Sequence, residues 1–137
     1  MTEGLREGGC LCGQVRYKVL AKPVETVVCH CLNCQKQAGS AFSVVAFFPR
    51  DSLQVTGKLQ TYEDLGTSGQ TVFRRFCGTC GSPVITDTEN APDMGLIFIK
   101  AGTLDEVDDL QPSVHVWTER KHCWLTLAED QIQLERE

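Results

Sequence analysis

Apolar residues in this chain fall into short segments with strand-like composition, separated by turn residues such as Pro23, Pro49 and Gly57. Short runs rich in Val, Ile, Phe and Thr that end at Gly or Pro are typical of β-strands in an antiparallel sheet. The predicted strands are Gly13–Val19, Val24–Val28, Ser43–Phe48, Leu53–Thr56, Leu59–Tyr62, Thr71–Phe76, Pro83–Thr86, Leu96–Ala101 and Ser113–Trp117.

One segment, Leu32–Ala38, has residues that tolerate a helix, and Gly39 is well placed to end it. The pattern of residues 127–134 fits a strand and a helix equally well. The sequence therefore predicts a mainly β fold of antiparallel sheets with at most one short helix. Its 137 residues suit a single domain, 1–137, with one core.

Charge and composition exclude several classes of function. The net charge of −5 disfavours binding to nucleic acid and to anionic membrane surfaces. The two basic clusters, Arg74-Arg75 and Arg120-Lys121-His122, are predicted to be solvated surface charge. Since the first residues form no signal peptide and no apolar run is long enough to span a membrane, we expect a cytoplasmic protein.

The chain has eight cysteines, and a reducing compartment favours metal ligation over disulfides. Disulfides within the closely spaced group Cys29, Cys31 and Cys34 would also be strained. Clustered thiols in such a chain are therefore predicted to bind metal.

The first cluster combines two short pairs, Cys10-x-Cys12 and Cys77-x-x-Cys80, each followed by Gly. Four thiolates close the tetrahedral shell of a structural zinc, and this site would join the N-terminal part of the chain to a point beyond its middle. The Gly residues would permit the positive φ that a turn around a metal often needs. The alternative is that one pair is buried core thiol.

The second cluster, Cys29, Cys31 and Cys34, offers three thiolates, and three protein ligands with a vacant position are typical of a catalytic zinc. Three alternatives stay open. His115, His122 or Cys123 could supply a fourth ligand, the thiols could hold an iron–sulfur cluster, or they could be empty.

Three further residues need an interpretation. His30 is expected to point away from the metal because side chains alternate along an extended chain. This leaves a supporting or substrate-facing role and surface exposure equally open. His115 is predicted to face opposite to Val114 and Val116 as a hydrogen-bonded strand histidine. The lone Cys123 is predicted to be a small buried hydrophobe.

The chain resembles the glutathione-dependent formaldehyde-activating enzyme family, which includes centromere protein V. The matching motifs follow one another in the expected order and contain seven of the cysteines. They are Gly9–Tyr17, Cys29–Ser43, Phe73–Gly81 and Pro112–Trp117.

The resemblance implies twisted antiparallel sheets in a β-tent-like zinc fold with two zinc ions per chain. It implies a structural zinc on Cys10, Cys12, Cys77 and Cys80, and a catalytic-type zinc on Cys29, Cys31 and Cys34. The implied reaction joins glutathione and formaldehyde to S-(hydroxymethyl)glutathione, and its reverse is a carbon–sulfur lyase reaction. Many members carry Arg after the third Cys of the triplet, where this chain has Gln35.

A thiol at an open zinc would lose its proton more easily and could attack an aldehyde carbon. An anionic thiol such as glutathione would need cationic partners. The candidates are Lys36, Arg74, Arg75, Lys100 and Arg120. The alternative function is a non-catalytic zinc module for protein contacts, which a fourth protein ligand at the second zinc would favour.

Overall fold

The fold was analysed in a computed structural model that describes residues 4–137. Its two helices are α1 (Leu32–Ala38) and α2 (Ala91–Met94), and 3-10 turns cover Arg50–Ser52, Ala101–Thr103 and Thr118–Arg120. Its strands are β1 (Leu5–Gly9), β2 (Arg16–Leu20), β3 (Glu25–Cys29), β4 (Ser43–Pro49), β5 (Leu53–Thr56), β6 (Leu59–Leu65), β7 (Thr71–Cys77), β8 (Pro83–Thr88), β9 (Leu96–Lys100), β10 (Val114–Val116) and β11 (Ile132–Gln133).

The strands form a small sheet in the order β1-β2-β5 and a large sheet in the order β11-β10-β3-β4-β9-β8-β7-β6. Neighbours pair antiparallel except at β10, which runs parallel to both β3 and β11. The predicted mainly β, antiparallel fold class is therefore confirmed. None of the helices between residues 4 and 137 is long and apolar enough to cross a membrane.

Most predicted elements lie within a few residues of their observed bounds, and α1 and β5 coincide with theirs. Gly39 ends α1 with a left-handed φ of 63°, as its position suggested. Strand β1 was not predicted because its sequence LREGG is polar and contains two Gly residues. It forms because β2 supplies an antiparallel partner along its whole length. The short helix α2 lies between two predicted strands and was not predicted itself; Pro92 lies in its first turn.

The main core lies between the two sheets. Val15, Val19, Phe48, Val84 and Ile99 are fully buried there. The alternate residues Ala46 and Phe48 of β4 and Ile97 and Ile99 of β9 are all buried, so these strands turn one face toward the small sheet. The opposite face of the same strands is free to form a ligand site.

Arg74 and Arg75 are not the solvated surface charges that were predicted. Arg74 is only 3% exposed, and its Nε donates a hydrogen bond to Asp64 Oδ2 at 2.9 Å. Arg75 donates from Nη1 to Asp87 Oδ2 at 2.6 Å. The prediction of solvated charge is wrong here because β7 lies inside the large sheet, where each cation meets a carboxylate.

Asp87 makes stability depend on pH, because it is 2% exposed and bonded to both Arg50 and Arg75. Burial alone would raise its pKa, but the two guanidinium groups hold the pKa of Asp87 below its usual range. A lowered folded pKa gives stability that is present above the unfolded value of about 3.9 and is lost as pH falls through the folded value.

We therefore expect Asp87→Asn to lower the free energy of unfolding at pH 7 by about 1.5–3 kcal/mol, the range for hydrogen bonds to charged groups. Between pH 5 and pH 3, the free energy of unfolding should also fall less in the variant than in the unmodified chain. Urea unfolding at both pH values measures this, and the exposed Asp51→Asn serves as the control. Equal acid sensitivity in all three proteins would contradict the prediction.

Candidate metal centres and ligand cleft

The first cysteine cluster brings together two distant turns. Cys10 and Cys12 follow β1, while Cys77 ends β7 and Cys80 lies in the next turn. Their four Sγ atoms lie within 4.8 Å of one another, with Cys10–Cys12 at 3.6 Å and Cys12–Cys77 at 3.8 Å. A disulfide would need about 2.05 Å, whereas the edge of a tetrahedron with about 2.3 Å zinc–sulfur bonds is about 3.8 Å. The donor set thus fits a closed zinc site.

The glycines after both pairs have the left-handed backbone that a tight turn around a metal requires. Gly13 has a φ of 82° and Gly81 a φ of 80°. In the first turn, the backbone N–H of Val15 donates to Cys10 Sγ at 3.3 Å. Such donors stabilise the negative charge of a thiolate, so the turn favours the form of Cys10 that binds a metal.

The second turn supplies similar hydrogen bonds. The backbone N–H of Thr79 donates to Cys77 Sγ at 3.4 Å. The hydroxyl of Ser82 lies 3.2 Å from Cys80 Sγ and lowers the pKa of Cys80 to about 5. Cys80 is therefore ready to act as a thiolate ligand at neutral pH.

The second cluster is built around the start of α1. Cys29 ends β3, Cys31 is the N-cap of the helix, and Cys34 lies in its first turn. The backbone N–H of Cys34 donates to Cys31 Sγ at 3.4 Å, which fixes both side chains on the same side of the turn. The three Sγ atoms lie within 4.8 Å of one another. The sequence-predicted triplet is therefore brought together.

The three thiols share negative charge. Hydrogen bonds with Cys29 and then Cys34 lower the pKa of Cys31 to about 2, while those with Cys31 and Cys34 raise the pKa of Cys29. One thiolate thus suppresses ionisation of its neighbour, as expected for like charges in close contact. A divalent cation would relieve this repulsion, so the donor set also fits zinc.

Two buried cations lie beside this cluster. Arg74 faces Cys34, whose negative charge raises the pKa of Arg74 against the opposing effect of burial. Lys100, 6% exposed, donates to the hydroxyl of Ser43, and burial lowers its pKa although the charges of Cys34 and Cys29 oppose this. Both cations reduce the electrostatic cost of gathering thiolates here.

No His, Cys, Asp or Glu among residues 4–137 joins the triplet as a fourth ligand. Both ring nitrogens of His115 are hydrogen-bonded, to His30 and to Gln131. His122 Nε2 lies 2.8 Å from Gln35 Oε1, and Cys123 is exposed. The prediction that Cys123 is buried is wrong, because the segment after Arg120 runs over the surface. The arrangement agrees with three protein ligands and leaves room for an external donor.

His30 is completely buried, so the alternative of surface exposure is wrong. Its Nε2 lies 2.9 Å from His115 Nδ1, and His115 Nε2 lies 2.7 Å from Gln131 Oε1. Since Gln131 Oε1 can only accept, His115 carries its proton on Nε2 and His30 donates from Nε2. Burial, with a smaller contribution from His115, lowers the pKa of His30 to about 4. His30 is therefore neutral and connects the cysteine loop to β10 through His115, which is a hydrogen-bonded strand histidine as predicted.

Gln35, the departure from the family pattern, has a defined structural role. Its Nε2 donates to the backbone carbonyls of His30 at 2.8 Å and Arg120 at 3.0 Å, and its Oε1 accepts from His122. It therefore ties α1 and the cysteine loop to the segment that follows β10. Its contacts with Arg120 and His122 were not predictable from sequence, because these residues are distant along the chain.

A cleft of about 410 Å³ opens beside the three thiols. Cys29, Cys31 and Cys34 line one end, together with Ser43 and Trp117. Sequence reasoning missed Ser43 and Trp117 as site residues, although the first lies directly opposite Cys29 in the β3–β4 register.

Only one of the predicted anion anchors lines this cleft, namely Arg74. Lys36 lies with Arg74 at a separate, smaller depression, and Arg75 is paired with Asp87. Lys100 is buried behind Ser43, and Arg120 is exposed. The structure thus does not gather the five candidates around one ligand.

Two all-cysteine clusters, one with four thiols and one with three beside a cleft, define a thiol-rich β protein whose donor sets fit metal ions. The sequence profile of the family described as glutathione-dependent formaldehyde-activating enzyme matches residues 5–120. The chain belongs to this family.

Individual relatives agree with this assignment. Proteins of Colletotrichum graminicola and Aspergillus flavus that carry the family name are 31% and 32% identical to it. These matches cover 69% and 71% of this chain, which spans about half the length of those relatives, 54% and 52%. A relative from Halomonas elongata is 29% identical over 90% of this chain and 81% of its own.

A solved structure of a Rhodobacter sphaeroides protein supports the fold alone. It is 22% identical, superposes with a TM-score of 0.56, and the match covers 75% of this chain and 91% of that one.

Proposed function

We propose that this protein is a zinc-dependent carbon–sulfur lyase that joins a small thiol to a small aldehyde and reverses that reaction. The family name points to glutathione as the thiol and formaldehyde as the aldehyde. The observation that carries the proposal is the triplet Cys29, Cys31 and Cys34, which lies at the end of a cleft without a fourth protein ligand among residues 4–137. The proposal includes a location in the cytoplasm, because a reducing compartment keeps such thiols free to bind metal.

The reaction is an addition and needs no redox partner. When bound, zinc would hold the incoming thiol at its open position and lower the pKa of that thiol. The thiol sulfur then forms a bond to the aldehyde carbon while the π electron pair of the C=O bond moves to oxygen. The proton lost by sulfur ends on that oxygen, and the product is a hemithioacetal.

The residues of the chain supply position and charge. The triplet fixes where the sulfur lies, and the cleft admits the aldehyde within the ~3–3.5 Å needed for attack. Three cysteine thiolates and an incoming thiolate carry four negative charges, and one zinc ion neutralises two of them. Arg74 and Lys100 provide two buried positive charges beside them. Ser43, held by Lys100, points its hydroxyl toward the same end of the cleft.

Cobalt substitution tests the proposal, because cobalt–thiolate charge-transfer bands respond to a change of ligand. We expect two metal ions per chain by elemental analysis and a band change when glutathione is added. The change should disappear in Cys31→Ser and persist in Cys123→Ser, whose exposed thiol lies outside both clusters.

Two results would contradict the proposal. One metal ion per chain, or iron, would exclude the pair of zinc sites. The second result is that the cobalt bands stay unchanged with millimolar glutathione and every other thiol, yet change in His115→Ala or Cys123→Ala. That result would show that a protein side chain closes the site. The latter result would favour a non-catalytic zinc module.

A further inference from the structure

One face of the large sheet forms the floor of the cleft. On β3 the cleft-lining residues are Glu25, Val27 and Cys29, and on β4 they are Ser43, Val45 and Phe47. These are alternate residues, as expected for side chains on one face of a sheet. On the other side of β4, Ala46 and Phe48 are fully buried in the core.

This floor is apolar along most of its length. In the β3–β4 register, Cys29 pairs with Ser43, then Val27 with Val45, then Glu25 with Phe47. At about 3.3 Å per residue, the floor extends roughly 13 Å from the thiols to the last of these rows.

Neighbouring strands widen the same apolar surface. Phe47 packs against Phe98 of β9 with ring centroids 4.3 Å apart. On the flanks, further apolar side chains line the cleft, namely Val72, Met94, Val114 and Val116. All lie on strands or a helix that frame the floor, so the surface is continuous.

The charges of the cleft do not match a ligand with several carboxylates. Among the described residues that line it, Arg74 is the one Lys or Arg, and its Nε is already bonded to Asp64. Glu25 and Glu137 also line the cleft and would repel anions. A tripeptide thiol such as glutathione would therefore bind here with its carboxylates largely unpaired.

We propose that the floor formed by Val27, Val45, Phe47 and Phe98 binds an apolar group of the substrate adduct, a linear alkyl chain or an aryl group. This inference rests on the proposed thiol–aldehyde chemistry and names its substrate class. Formaldehyde alone leaves most of the 410 Å³ empty. The apolar group can belong to the thiol or to the aldehyde, since both give an adduct that extends from the thiols over the floor.

Binding strength should then rise with chain length. Each buried methylene contributes about 0.8 kcal/mol, or about fourfold in affinity. We expect butanethiol and hexanethiol to bind the zinc-loaded protein progressively more tightly than 2-mercaptoethanol and glutathione, as measured by calorimetry. A second series, formaldehyde, butanal and hexanal added to the glutathione complex, shows whether the aldehyde carries the apolar group instead.

A matched pair of variants locates the effect. Val45→Thr keeps the side-chain shape but places a hydroxyl in the floor, and it should weaken hexanethiol or hexanal binding about fivefold. Val55→Thr makes the same change on β5, at an exposed position outside the cleft, and should leave binding unchanged. Thermal melts confirm that both variants fold.

The results separate this inference from the proposed function. The apolar site would be overturned by equal affinity for short and long chains in both series, or by equal effects of the two variants. Neither result would contradict thiol binding at the triplet. If hexanol bound in a Val45-dependent way but no thiol altered the cobalt bands, the apolar site would be supported and the proposed chemistry would be wrong.

Discussion

Cys12→Ser is expected to unfold the protein or to destabilise it by several kcal/mol, although Cys12 is exposed. A structural zinc contributes about 10–16 kcal/mol of apparent binding free energy, which is comparable to or larger than the ~5–15 kcal/mol stability of a typical domain. Losing one of four thiolates removes much of that contribution. Cys77→Ser should have the same effect, but it also disturbs the core, in which Cys77 is 1% exposed.

Cys123→Ser is the matched control for Cys12→Ser, because it makes the same change at another exposed cysteine. Cys31→Ser supplies a second comparison and should leave a folded protein with a weakened second metal site. Urea unfolding of the zinc-loaded chains measures all four variants. If Cys12→Ser is as stable as Cys123→Ser, the four-thiol cluster does not hold a structural metal. If Cys31→Ser unfolds as readily as Cys77→Ser, the triplet is structural too.

The cysteine clusters and the individual strands were predictable because short sequence patterns indicate them. Closely spaced cysteines are brought together by the turns that contain them, and Gly13 and Gly81 identify those turns. Alternating apolar residues give the strands, and Gly39 marks the end of α1. The evidence for each strand, for α1 and for each cysteine pair lies within a few neighbouring residues, whereas the joining of the two distant pairs was inferred from the four ligands that a structural zinc takes.

The remaining features depend on contacts between distant parts of the chain. Arg74 was assigned to the surface because its own segment does not show Asp64 or Cys34 beside it. The burial of His30 requires β10, which lies far along the chain and pairs parallel to β3. The cleft likewise needs the register of several strands, so its apolar floor could not be derived from any single segment.

Arg74→Met is expected to weaken thiol binding at the triplet about 10-fold or more. The guanidinium faces Cys34 and is 3% exposed, so its charge acts with little screening by water. At an effective dielectric constant of 20, opposite unit charges about 4 Å apart attract by about 4 kcal/mol, and a third of that energy already gives the expected loss. Met fills a similar volume, so the change removes mainly charge and hydrogen bonds.

Arg74→Lys distinguishes charge from packing, because it restores the positive charge without the hydrogen-bond geometry of the guanidinium. It should recover much of the thiol affinity measured by the cobalt bands, whereas Arg74→Met should not. Arg16→Met is the control, since Arg16 pairs with Asp105 at an exposed site outside the cleft. If Met and Lys at position 74 weaken binding equally, Arg74 acts by shaping the cleft through Asp64. If neither weakens binding, the triplet binds thiols without help from this charge.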